Sequence, residues 1–423
     1  MAKNNNIAKR WRVLSGEKEW EGLLEPLDLD LRRYVIHYGE RAQAIADAFI
    51  AETKSKNCGL SRYPAEGFFS HVGLDKGNPF KYEVTTFFYA AYGDLDGGGS
   101  DKVFKKSSPP LAETETSNCI GYVAVATDEG KVALGRRDVL VVWRGSMVSE
   151  DWTADFEFDL VSAKDILGTT NNPRVHKGWY SVYTATNTSK YNRTKYNSYL
   201  VLNTMIYMTL YVSTEVKKLM SKYQEEELSI TVTGHSMGAA LATLNAVDMA
   251  YNKVNVFSSN PNKTVPITAF VFASPRVGDR GFGSVFSDLN TGASLHLLRV
   301  NEFLDVVPQY PLIFQGYVDV GHLLLLMVLK SPYIKPFLHL VATRKWLPVH
   351  SLELHLHGVA GTQGVFGGFN LEIDRDLGLM NKGGDFVKDE YLKIVSWWTE
   401  KNKSMVQNDD GSWELKDSQD QYN

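Results

Sequence analysis

Apolar positions along the chain repeat with two different periods. Between Asp30 and Ile50, residues Leu31, Tyr34, Val35, Tyr38, Ala42, Ile45 and Phe49 recur at three- and four-residue steps. That spacing lines one face of a helix. Asp28 or Asp30 stands where a helix start wants a capping carboxylate. Ahead of it, Ala8, Trp11 and Leu14, then Trp20, Leu23 and Leu24, keep the helical step, so the opening reads as helix. Lys54 to Asn78 is rich in Gly, Ser and Pro and reads as loop. Tyr82 to Tyr92 is dense in β-branched and aromatic residues, which suits a strand, with a helix as the alternative.

From Cys119 onward the pattern changes. Ile120 to Thr127 alternates as a strand does. Asp138 to Trp143, Leu228 to Thr233, Ile267 to Ala273 and Leu295 to Val300 are short, nearly continuous apolar runs. Such runs fit strands buried on both faces of a parallel sheet. Helical stretches, Tyr199 to Tyr223 and Gly238 to Tyr251, lie between them. Alternation of strand and helix predicts an α/β fold with a mainly parallel sheet. Leu323 to Leu329 is the most apolar run, far short of the ~20 residues a membrane span needs, and reads as a core strand, with a membrane-touching surface as the alternative. No internal repeat and no clean linker interrupt the chain. The expected organisation is an N-terminal helical extension over residues 1–118, a core over 119–404, and a polar, acidic tail over 405–423 that is loose at its end.

Composition narrows the function. The 423 residues are 43% apolar and 22% charged, with a net charge of −4. This is a globular chain. Without a basic domain or a long Lys/Arg run, nucleic acid is not an expected partner, and simple electrostatic capture by anionic membranes is not the main recognition term. The two cysteines, Cys58 and Cys119, make no disulfide framework. Met1 to Leu14 lacks the apolar segment of a signal peptide and the Ser/Arg richness of a transit peptide, so the cytosol is the expected compartment. The Asn-x-Ser/Thr matches at Asn192 and Asn262 would need a secretory route to matter.

The strongest chemical signal is Gly234-His235-Ser236-Met237-Gly238. It follows the run Leu228–Thr233 and opens an Ala/Leu-rich helix. A strand–turn–helix of this kind is the setting of a nucleophile elbow, where a strained turn pushes a serine hydroxyl out of the sheet. Ser236 then needs a base, and the base needs an acid to orient it. Asp305 is the best acid, because it follows the strand Leu295–Val300, and strand C-terminal ends are where active-site groups gather in such sheets. Asp279 and Asp288 precede that strand. Candidates for the base are His322, His339, His350, His355 and His357. His350 is favoured, since it follows the turn-like Trp346-Leu347-Pro348 at the mouth of a helix on which His355 and His357 would ride. No His/Cys/carboxylate spacing suggests a metal site, and no cofactor is expected.

These motifs resemble those of the plant phospholipase A1 enzymes related to fungal-type (class 3) lipases. The resemblance is carried by Val141-Val142-Trp143-Arg144-Gly145-Ser146, Asp151-Trp152-Thr153-Ala154-Asp155 and Val175-His176-Lys177-Gly178-Trp179. The elbow, Phe272-Ala273-Ser274-Pro275-Arg276-Val277-Gly278, Asn301-x-x-Asp305-x-Val307-Pro308 and the His350 segment through Gly361 follow in the same order. The opening, Ala8 to Asp28, and Ser396-Trp397-Trp398 look like the class II members. One departure is His322-Leu323, where the family usually has Glu-Leu; it leaves the strand packing there open.

The resemblance implies an α/β-hydrolase fold and removal of the sn-1 acyl chain of a glycerophospholipid through an acyl-enzyme. It implies an oxyanion hole at Ser146 and Met237, which agrees with one donor after the nucleophile and one after an earlier strand. It also implies an amphipathic lid over Met147 to Leu160, with Trp152 and Phe156 among its apolar residues, touching a membrane surface transiently. The rival readings are a galactolipid, mono- or triacylglycerol lipase or esterase, and a lipase-like scaffold that binds without turnover. A complete Ser/Asp/His set argues against the last.

Overall fold

The computed structural model describes residues 6–52, 54–91, 117–146, 158–184, 208–292, 294–336, 348–398 and 401–415. The chain opens with α1 (Ile7–Leu14) and α2 (Leu29–Ala48). Strands β1 (Tyr82–Ala91), β2 (Ser117–Ala126) and β3 (Arg137–Trp143) follow. Next come α3 (Met208–Lys222), β4 (Leu228–His235), α4 (Met237–Tyr251) and β5 (Ile267–Phe272). The series ends with α5 (Arg280–Thr291), β6 (Leu295–Glu302), β7 (His322–Leu326) and α6 (Leu352–Gly361). The seven strands form one sheet in sequential order. β1, β2 and β3 pair antiparallel; β3, β4, β5, β6 and β7 run parallel. A mainly parallel sheet with helices on both faces is the α/β-hydrolase architecture expected.

Alternation along each strand builds two cores. Val139, Val141 and Trp143 of β3 join Leu241, Leu244 and Val247 of α4 on one face. Leu140 and Val142 join Leu31, Val35 and Ile45 of α2, and Leu356 of α6, on the other. Every residue of β3 is buried, as a strand covered on both faces requires. α2 starts on the Asp28 side chain, which accepts from the backbone N–H of Asp30 (3.0 Å) and Leu31 (3.1 Å). Gly39 lets it lie close: a Cβ there would meet Leu356 Cδ2 at 2.2 Å and Phe272 Cζ at 2.9 Å.

Beneath α2 a polar cluster fixes the helix to the sheet. The buried Asp138 carboxylate accepts from Tyr38 (3.0 Å), Tyr82 (2.6 Å), Ser229 (2.5 Å) and Thr231 (2.8 Å) hydroxyls. Arg136, also buried, stands 3.5 Å away. A second buried set, Glu353, Arg375, Lys382 and Asp47, ties α6 and the C-terminal segment to α2.

Several elements depart from the sequence expectation. Helix α1 stops at Leu14, and residues 15–23 are turns: Gly16, Glu19, Trp20 and Gly22 all have positive φ. The apolar step of Trp20 and Leu23 survives because those side chains are buried, not because the backbone is helical. The N-terminal extension is not only helical, since it supplies β1 to the central sheet. The apolar run after His322 gives a strand only to Leu326 and then a tight turn, Val328–Lys330. His322 donates no irregularity to that strand; its Nε2 bonds Glu19 at 2.6 Å, and the register with β6 is unbroken. The described part of the tail, 405–415, forms a hairpin, Met405–Gln407 with Trp413–Leu415, fastened through Gln407 Nε2 to the Gly73 carbonyl at 2.8 Å; its end lies outside the described residues. Of the helix expected over Tyr199 to Tyr223, the described part is α3.

Candidate active site

Parallel register gathers the site at the C-terminal ends of the strands. Trp143 lies opposite Gly234, and His235 opposite Phe272. Val300 also lies opposite Phe272, so the segments leaving β3, β4, β5 and β6 emerge side by side. The chain turns sharply at Ser236, with φ 61° and ψ −129°. A non-glycine residue there is strained by about 1–3 kcal/mol. The turn is held by Ser236 N–H donating to the Phe272 carbonyl at 3.0 Å. The elbow glycines permit it: a Cβ on Gly238 would meet the Trp143 carbonyl oxygen at 2.3 Å.

Ser236, His350 and Asp305 meet. His350 Nε2 is 2.9 Å from Ser236 Oγ, and its Nδ1 is 2.7 Å from Asp305 Oδ2. All three are buried. Val307 N–H donates to the other Asp305 oxygen at 3.0 Å. Burial alone would raise the Asp305 carboxyl, but the attraction and hydrogen bond of His350 outweigh it, and the group sits below its ordinary value. With Nδ1–H on the carboxylate, His350 presents the lone pair of Nε2 to the serine hydroxyl. This is the tautomer a general base needs.

Ser146 lies in the segment after β3, beside the elbow. A Cβ on the neighbouring Gly145 would come within 3.4 Å of Ser236 Cβ. Arg144 shapes that segment by donating to the Cys119 and Gly145 carbonyls, each at 2.7 Å. Met237 opens α4, where an N–H has no partner within the helix. Trp152 and Phe156, of the expected lid, lie outside the described residues, as does His339. Asp279 is far from this chemistry in role: it caps α5 and pairs with Arg174. Asp288 lies on α5. His322 bonds Glu19, and His357 Nε2 meets Ser331 Oγ at 2.8 Å.

The places of two histidines in the site escaped the sequence reading. His235 Nε2–H donates to the His350 carbonyl at 2.8 Å and pins the turn that carries His350. His355 is buried with Nε2 at 3.5 Å from Asp305 Oδ2. Their signals were a histidine inside the elbow and one five residues beyond His350. Among the described residues, no group of three or more His, Cys, Asp or Glu could hold a metal ion.

Residues 140–315 match the family model of the class 3 lipases. Over 415 residues the chain is 46% identical to phospholipase A1-II 4 of Oryza sativa subsp. japonica, covering 97% of this chain and 96% of that one. The chain belongs to the phospholipase A1-II group of the class 3 lipases. It is 45% identical over 416 residues to phospholipase A1-IIgamma of Arabidopsis thaliana, covering 97% of this chain and 93% of that one. Membership makes it a lipase, a hydrolase of carboxylic esters. Among solved structures, lipase II of Rhizopus niveus matches at 18% identity and a TM-score of 0.39, over 68% of this chain and 79% of that one. The fold assignment rests on the sheet and the class 3 family match, not on that likeness.

Proposed function

We propose that the protein removes the sn-1 fatty acyl chain of glycerophospholipids, with Ser236 as nucleophile, His350 as base and Asp305 as its orienting acid. The observation that carries this reading is the unbroken hydrogen-bonded chain from Asp305 through His350 to Ser236 Oγ. Ser236 Oγ attacks the ester carbonyl as His350 Nε2 takes its proton. The oxyanion is received by Met237 N–H and by Ser146 through its N–H and hydroxyl. His350 then gives the proton to the leaving lysolipid oxygen, and Asp305 steadies the imidazolium meanwhile. Water repeats the sequence on the acyl-enzyme and frees the fatty acid.

The phospholipid and positional parts of the proposal lean on the names of the relatives. A lipid in preference to a soluble ester is favoured by the chain around Asp305. Phe303, Val306, Ile313 and Phe314 are exposed there, the last by 84%. Apolar surface on the segment that carries Asp305 suits a substrate presented by a lipid surface. No helix of the described residues is long and apolar enough to cross a membrane, so contact with lipid would be peripheral. The test is a panel of purified phospholipids, galactolipids and acylglycerols with positional analysis of the released acyl chain. Release from sn-2, or turnover of acylglycerols alone, would overturn the assignment.

The cytosolic location belongs to the same proposal. It is supported by Cys58 and Cys119 being free thiols, which reducing compartments preserve. Fractionation of cells expressing the full chain tests it.

A further inference from the structure

One oxygen of Asp305 faces two histidines. Oδ2 is bonded by His350 Nδ1 at 2.7 Å and faced by His355 Nε2 at 3.5 Å. His355 is fully buried on α6, and its Nδ1 lies 3.0 Å from the Ser351 carbonyl oxygen. Both of its ring nitrogens therefore face groups that only accept. A neutral imidazole has a single N–H and can serve one of them. The nearer acceptor is Ser351, which leaves the Nε2 lone pair against the carboxylate, and Nε2 has no hydrogen-bond partner. Only the doubly protonated ring would donate to both. The cavity is thus shaped for a second proton that burial resists.

We propose that His355 is a positioning residue that acts on Asp305: when it takes a proton from solvent, its Nε2–H engages Oδ2 and withdraws that oxygen from His350. The inference rests on the reading of His350 and Asp305 as base and acid. The titratable groups facing His355 are Asp305, from the segment after β6; His350, from the turn before α6; and His235, from the end of β4, with ring centroids 6.1 Å apart. Asp305 in turn acts on Glu302, at the end of β6, and with burial raises its carboxyl. Burial pushes His355 down from its ordinary value, against the pull of Asp305 and the Ser351 carbonyl. The ring is accordingly neutral near pH 7 and charges only as the medium becomes acid. Two protons then disable the site: one on His350, which removes the base, and one on His355, which removes its support.

The test is the acid limb of kcat/KM on a soluble short-chain ester. The wild-type enzyme is expected to fall with a limiting slope of two in log–log form, and His355→Leu with a slope of one, because leucine takes no proton and offers Oδ2 no donor. At alkaline pH the variant loses less than about tenfold, since it transfers no proton itself. A wild-type slope of one, or a slope of two retained in the variant, overturns the proposal. Should His355→Leu fail to fold, the downfield proton signal of His350 Nδ1–H decides. Read in Ser236→Ala, it is expected to titrate in two steps, and a single step overturns the proposal. Failure of the underlying reading is distinct: His350→Ala would then keep its activity whatever His355 does.

Discussion

At the scale of the residue, the proposed chemistry is a single proton path, so its members should not contribute independently. Ser236→Ala is expected to lower kcat by about 10⁴–10⁶-fold and to abolish labelling by a serine-directed phosphonate. His350→Ala should cost nearly as much, and the double variant little more than either alone, in steady-state assays on one ester. Ser146→Ala removes a hydroxyl but keeps the backbone N–H, so its cost should stop at about 10²–10³ in kcat. Ser236 was legible because the glycines and the following Ala/Leu run leave one local geometry open. Asp305 was legible because it follows a buried strand. His350 was the better of five candidates from the turn before it, but nothing local shows that its side chain meets Asp305. His355 was read as a passenger on the helix, because an approach across 50 residues of sequence leaves no periodic trace.

At the scale of the element, position follows from register, and stability from what each element covers. α2 covers Asp138 and Arg136, both with no exposed side-chain surface. Asp138→Ala would strand the buried guanidinium beneath α2, and losses of this kind run to about 3–5 kcal/mol. Urea unfolding followed by tryptophan fluorescence measures it, and a loss below 1 kcal/mol (~1, the scale of an ordinary hydrogen bond) would show that the tyrosine hydroxyls suffice. The segment after β6 carries a different expectation. Burying a phenylalanine in an apolar phase is worth about 1.5–3 kcal/mol. Phe314→Ser should therefore weaken vesicle binding roughly tenfold or more while leaving hydrolysis of a monomeric ester unchanged. Sedimentation with phosphatidylcholine vesicles and a soluble-ester assay separate the two; equal losses on both would place Phe314 in the fold instead. Strands were readable because burial on both faces leaves unbroken apolar runs. The turns at residues 15–23 were not, because buried Trp20 and Leu23 mimic a helical stripe while Gly16 and Gly22 set the backbone.

At the scale of the whole molecule, buried neutral histidines make the fold sensitive to acid. Burial lowers His176 from 6.5 to about 3, and lowers His357, with help from Arg375, to about 3. The unfolded chain then binds protons that the native state refuses. Stability is fully present above the ordinary imidazole value and drains away as pH falls towards 3, by up to about 1.4 kcal/mol per pH unit for each group. Urea midpoints at pH 7.5, 6 and 5 should fall in sequence, and His357→Gln should flatten that fall; a midpoint independent of pH would contradict the linkage. The ties between α2 and the last third of the chain carry a consequence for synthesis. Arg32 donates to the Val359 carbonyl at 2.7 Å, across 327 residues, and Lys382 bonds Asp47 at 2.9 Å, across 335. At roughly 5–20 residues per second, a ribosome needs on the order of 15–65 s to supply those partners after making α2. For that interval the apolar stripe of α2 and the side chains of Arg32 and Asp47 wait without their cover. Early nascent chains should accordingly be held by chaperones and cut readily by protease, and resistance should arrive only once α6 and Lys382 have emerged.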